Sequence, residues 1–223
     1  MKFKPLLGIL GMALMISTTQ VMPGAFASSL AGGTYTHLSI DGSSANSNVP
    51  NEVTATSAQL STTVWQGAYT NTNYFLQEDL ALDYPNGWGM EFVGFNSAGT
   101  KIDDKWTNAY ATPGCTVLYD QSVVSTNDIF GEIRQSSGSG CTSITETYTF
   151  DDPNGSYGST LTPIQLELEY YDTTCSDFSG MGNVDFTNGL VDISGVSSTP
   201  TYSASYSGSC FSSTAGSGYV TVS

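Results

Sequence analysis

The chain reads as an all-β protein, an antiparallel sandwich of jelly-roll type with two disulfides. Three observations predict this. Short runs of alternating polarity recur between turns rich in Gly, Asn, Pro and Ser, and no window keeps a helical apolar period between recognisable caps. Twenty-four glycines and eight prolines punctuate 223 residues. Four cysteines follow an amino-terminal segment with the features of an export signal.

That segment is residues 1–27. Lys2 and Lys4 form a charged start, Leu6–Ile16 an apolar centre, and Ala25-Phe26-Ala27 a small-residue cleavage site. The apolar run is shorter than the ~20 residues a membrane span needs. The expected mature chain is residues 28–223, a single domain secreted to the extracellular space or periplasm, with no membrane span. Only Lys101, Lys105 and Arg134 then oppose 20 acidic residues. So negative a chain is a poor partner for nucleic acid or anionic membranes.

Taken in order, Thr34–Asp41 alternates as a strand with His37 on its outer side, and Gly42–Pro50 reads as a polar loop. Val53–Ala68 holds short alternating runs that end at Val64-Trp65. Leu76–Val93 is a half-buried hairpin around Pro85-Asn86-Gly87. With Tyr84 opposite Trp88, the even-numbered residues from Leu80 to Phe92 outside the turn line one apolar face. The odd face carries Gln77, Asp79, Asp83 and Glu91, and matches an acidic surface without marking a site. A turn at Asn96–Gly99 and a return along Lys101–Trp106 complete a three-stranded meander.

Short strands follow at Thr116–Tyr119, Val123-Val124 and Ile129–Arg134. Ile144–Tyr171 repeats the hairpin device around Asp152-Pro153-Asn154-Gly155, with Thr145, Thr147 and Thr149 facing out and Pro163 breaking the return strand. Val184–Phe186, Leu190–Ile193, Thr201–Tyr206 and Tyr219–Val222 close the chain, for ten to thirteen strands in all. A lone helical turn has room near Gln77–Leu80 or in a loop. Of the three possible cysteine connectivities, Cys115–Cys141 with Cys175–Cys210 closes the shorter loops and is preferred.

No zinc-protease, serine-hydrolase, nucleotide or dinucleotide signature occurs, and His37 lacks a catalytic partner. The carboxylate candidates are Glu167 and Glu169 in Gln165–Tyr171, two same-face positions about 7 Å apart along a strand. Their repulsion would raise one pKa, as a glycosidase acid requires. Oxygen ligands gather at Asp151, Asp152 and Asn154, candidates for calcium, although one tight turn cannot supply the 6–8 oxygens the ion takes. Aromatic residues in or beside turns (Tyr69, Tyr74, Trp88, Tyr157, Tyr171, Tyr202, Tyr206) offer stacking platforms, although Trp88 falls on the inward face by register.

Three functional expectations follow. The first is a non-catalytic extracellular surface or matrix protein that binds or assembles through β-edges and Tyr-rich faces, down to fibre subunits. The second is a carbohydrate-binding module, with or without calcium. The third is a glycosidase or lyase using Glu167 or Glu169.

Overall fold

A computed structural model describes residues 29–53, 62–83, 85–151, 157–170 and 175–223; the signal segment and Asp152 and Asn154 lie outside them. The described strands are β1 (Ser29–Tyr35), β2 (Gly42–Asn48), β3 (Thr62–Thr70), β4 (Phe75–Asp83), β5 (Gly87–Phe95), β6 (Lys101–Ala111), β7 (Thr116–Val123) and β8 (Asp128–Gln135). They continue as β9 (Ile144–Asp151), β10 (Leu161–Tyr170), β11 (Val184–Ile193), β12 (Val196–Ser198), β13 (Ser203–Tyr206), β14 (Ser213–Gly216) and β15 (Tyr219–Val222). The lone helical turn is a 3₁₀ turn at Cys175–Phe178, and Gln77–Leu80 is strand.

Two antiparallel sheets face each other. A seven-stranded sheet runs β13-β1-β10-β3-β4-β5-β6, and an eight-stranded sheet runs β14-β15-β11-β2-β7-β8-β9, with β12 added beside β11. The disulfides are Cys115–Cys141 and Cys175–Cys210, as the loop-length argument prefers.

Alternation explains the core. Leu76, Leu80, Leu82, Trp88, Met90 and Phe92 of β4 and β5 point inward, joined by Ile164, Leu166, Leu168 and Tyr170 of β10. Tyr119, Ile129, Ile133, Phe150 and Phe186 meet them from the other sheet. Each large side chain so buried contributes about 1.5–3 kcal/mol.

The first hairpin forms with the expected faces but a different register. Asp83 pairs with Gly87 and Leu82 with Trp88, so the strands close one step further from the turn on the β4 side than expected. The Asn86 N–H donates to Asp83 O at 2.6 Å, and Gly87 takes φ +106°. The shift moves the partner by two residues, an even number, which is why no side chain changes face.

Three expectations are overturned. Thr34–Asp41 is not one strand: β1 ends at Tyr35, and the chain crosses between the sheets with Leu38 exposed and Ile40 buried. Gly42–Pro50 is no loop. Its GSSANSN segment is a central strand, because Ser43, Ala45 and Ser47 face the interior and are small enough to fit beneath the facing sheet. The strands flanking Asp152–Gly155 do not pair with each other. Phe150 and Tyr148 lie on β9 at the edge of one sheet and Ile164 on β10 within the other, so the chain changes sheets there. Thr145, Thr147 and Thr149 do face solvent.

The terminal strands are interior. β1 lies between β13 and β10, and β15 between β14 and β11. At one end of the sandwich the sheets meet through backbone, the Tyr202 N–H donating to Gly216 O at 3.0 Å. At the other, Tyr148 Oη on β9 donates to Asp103 Oδ1 on β6.

Candidate functional site

The outer face of the seven-stranded sheet carries its polar side chains in rows set by strand register. One row crosses five strands as Glu167 (β10), Trp65 (β3), Asp79 (β4), Glu91 (β5) and Trp106 (β6). One pleat away the order is Gln165, Gly67, Gln77, Val93 and Asp104. On the other side it is Glu169, Thr63, Ala81, Gly89 and Tyr110.

A face turned away from the core should be wet, yet this one is largely covered. Glu167 is 2 % exposed, Asp79 4 %, Gln77 5 % and Trp65 3 %. Aromatic rings help to roof it. Phe75 packs edge-on against Trp65 at 5.5 Å and beside Tyr69 at 4.6 Å, with Phe95 next to it. Trp106 lies over Gly89, where a Cβ would run into the indole ring. The Glu167 side chain leans across Gly32 in the same way.

Burial governs the charges. Burial, and then the negative charge of Glu169, push Glu167 up to about 7. Burial pushes Asp79 well above the ordinary carboxylate range, with Glu91 and Glu169 adding to it. Glu91 is pushed up to about 7 by burial and by its hydrogen bond with Asp104. Asp104 itself lies below its ordinary value, because Lys101 and Glu91 outweigh its partial burial. One end of the face thus holds an acid cluster anchored by a lysine, and the other Glu167, of near-neutral pKa, beside Glu169.

Glu167 is well placed for chemistry. Gln165 Nε2 donates to its Oε1 at 3.4 Å, and the Ser205 hydroxyl, across Gly32 in the same row, offsets part of the rise by hydrogen bonding to the carboxylate. Asp79 Oδ1 and Trp65 Nε1, in the same row, have no hydrogen-bond partner. A buried acceptor and donor left unmet at about 1–3 kcal/mol each are a standing demand for a ligand or solvent. Only Gly67 separates Gln165 from Gln77, so two carboxamides flank the row with no side chain between them.

No known family's sequence pattern matches this chain, and neither does any curated protein. Solved structures do match. Scytalido-glutamic peptidase, crystallised with a peptide-based transition-state analogue, superposes with a TM-score of 0.64 at 17 % identity, covering 89 % of this chain and 99 % of the peptidase. The fold is the one that peptidase has. A second structure of it with a transition-state inhibitor gives 0.63, and SCP-B, an eqolisin-family peptidase in complex with the tripeptide Ala-Ile-His, gives 0.57 with the same coverage and identity.

This corrects the functional expectations. The structural neighbours are peptidases, not assembling matrix subunits, carbohydrate-binding modules, glycosidases or lyases. The β-edges invoked for self-assembly are also not offered by β1 and β15, which are paired on both sides. Of the Tyr platforms, Tyr157 and Tyr202 are buried in the core, Tyr206 is exposed, and Tyr171 is outside the described residues.

Glu167 and Glu169 share the outer face of β10 as alternation implies, but the polar face they occupy is covered rather than solvated. Asp151 is exposed at the end of β9. No group of three or more His, Cys, Asp or Glu able to hold a metal occurs among the described residues, nor any helix long and apolar enough to cross a membrane. Sequence reasoning passed over Gln77, Asp79 and Glu91 as ordinary surface. The signal was the unbroken polar triplet Gln77-Glu78-Asp79 inside a strand: its middle member had to enter the core.

Proposed function

We propose that this chain hydrolyses peptide bonds on the outer face of its seven-stranded sheet, with Glu167 as general base and the carboxamides of Gln165 and Gln77 as oxyanion donors. The observation that carries the reading is Glu167 itself, buried, pushed up to about 7, with Gln165 donating to one oxygen and the Ser205 hydroxyl beside the carboxylate. A base of that pKa is half-ionised near neutrality, where it can both accept and return a proton. The fold shared with two peptidases supports the choice of substrate.

The step balances on these groups. The Glu167 carboxylate takes a proton from water as its oxygen adds to the scissile carbonyl. The resulting oxyanion receives N–H hydrogen bonds from the Gln side chains. Glu167 then returns the proton to the amide nitrogen, the C–N bond breaks, and an acid and an amine leave. The aromatic roof of Trp65, Phe75 and Tyr69 keeps bulk water from the acid. Export through residues 1–27 into an oxidising compartment, where both disulfides persist, belongs to the same reading.

The test is incubation of the purified mature chain with an unfolded protein from acid to neutral pH, with products read by mass spectrometry. Cleavage is expected, and Glu167→Gln should lower it by about 10²–10⁴-fold while leaving the circular dichroism spectrum unchanged. Intact substrate across the whole range, or a Glu167→Gln variant as active as the parent, sinks the proposal.

A further inference from the structure

Behind the outer face, four polar side chains enter the core between the sheets, at positions where alternation calls for apolar groups. Gln66 on β3 and Glu78 on β4 come from one sheet, Ser43 on β2 and Gln121 on β7 from the other, and none is more than 3 % exposed. Gln66 Nε2 donates to Ser43 O at 3.1 Å and to Glu78 Oε2 at 3.3 Å. Gln121 Nε2 points to Leu76 O at 3.5 Å. Gln121 sits in register between Ser43 and Gly131, and a Cβ on Gly131 would lie 2.8 Å from Glu78 Oε1. The four therefore converge on one place.

Each keeps one oxygen without a partner: Ser43 Oγ, Gln66 Oε1, Glu78 Oε1 and Gln121 Oε1. Four such atoms in one dry spot would be costly, since buried polar atoms are met by protein or ordered water in most cases. Flipping the Gln66 amide does not help, because its NH₂ already serves two acceptors. Burial holds Glu78 well above the ordinary carboxylate range, and its neighbours Asp120, Asp79 and Glu132 are all acids that act the same way. This environment favours the neutral carboxylic acid, and since Oε2 accepts from Gln66 the proton belongs on the unpartnered Oε1.

The requirements then match one molecule. Two carboxamide oxygens want donors, and two hydroxyls, of Ser43 and of protonated Glu78, want acceptors. Water donates two hydrogen bonds and accepts two. We infer that the core between the sheets contains an internal water site formed by Ser43, Gln66, Glu78 and Gln121, which ties β3 and β4 to β2 and β7 directly behind the strand segment carrying Gln77 and Asp79. The inference stands on the core alone and is independent of any activity on the outer face.

A crystal structure of the mature protein at about 1.5 Å, grown at acid pH, tests it. One fully occupied water is expected within about 3.2 Å of at least three of the four oxygens. A dry site, or four side chains turned to pair directly with one another, overturns the inference. Infrared difference spectra give a second readout in solution. A protonated-carboxyl component that persists to neutral pH and is lost in the parent-minus-Glu78→Gln difference spectrum is expected, beside those of the other raised acids; absence of that component overturns the assignment of the proton and with it the site's balance. Glu78→Gln, which keeps an N–H donor at that oxygen, should retain the water. Glu78→Met should lose it, and if that variant does not fold, the parent and Glu78→Gln structures decide alone.

Discussion

Glu169 stands one pleat along β10 from Glu167, and its charge is the second reason, after burial, that Glu167 keeps its proton to about pH 7. Removing that charge lowers the Glu167 pKa. If Glu167 is the base of the proposed hydrolysis, Glu169→Gln should shift its limb of kcat/KM toward lower pH without abolishing turnover; an unmoved limb would separate the two residues. Lys101→Met should act in the opposite sense on the acid cluster. Lys101 lowers Glu91 and Asp79, so its loss raises both, readable as later titration of those carboxyls by NMR. At this scale the sequence showed Glu167 and Glu169 as a same-face pair, because alternation along one strand is local. It could not show that Glu167, Trp65 and Asp79 share a row, since that depends on which strands are neighbours. Nor does a carboxylate's spelling reveal its burial: Asp83, 4 residues beyond Asp79 on the same face, lies below its ordinary value because Asn86 and Tyr110 hydrogen-bond to it in the open.

At the scale of elements, the outer face depends on glycines that let rings and acids lie flat. Gly89→Ala would put a methyl into the Trp106 ring, and Gly32→Ala would put one against Leu166 O and the Glu167 side chain. Overpacking of this kind costs about 1–3 kcal/mol. Gly32→Ala should be the costlier, because a backbone oxygen cannot rotate away as an indole can. Urea denaturation of the two variants gives the comparison, and equal midpoints would count against it. The hairpin of β4 and β5 was legible because turn chemistry and alternation agree within eighteen residues. β2 was not, because GSSANSN is poor in β-formers and owes its strand to the two partners that flank it. The split between β9 and β10 was hidden for a related reason: a turn sequence specifies a reversal of the chain, not the sheet in which it continues.

For the whole molecule, protonation and stability are linked in an unusual direction. Glu78, Asp79, Glu91, Asp120 and Glu167 all have raised values in the folded chain. The fold thus retains protons that the unfolded chain releases near pH 4. Their contribution is complete below that pH and declines as pH rises through the folded values, about 7 for Glu91 and Glu167. Asp83 and Asp104, with lowered values, act oppositely and lose their contribution as pH falls below about 4. The melting temperature should therefore peak in mild acid and fall toward neutrality; a rise between those points would refute this. The disulfides span 26 and 35 residues, and reduction of each should remove about 3–4 kcal/mol, measurable as a lower urea midpoint. Finally, the joined ends of the sandwich restrict how a substrate can lie. β13 continues into the other sheet by way of the Tyr202–Gly216 bond, and β6 presents Lys101, Asp103, Asp104 and Lys105 along the opposite border. On the proposed peptidase reading, a peptide substrate finds no inviting strand to extend and would run across the rows, from Glu167 toward Trp106. It would then be recognised by the spacing of its side chains rather than by a main-chain ladder.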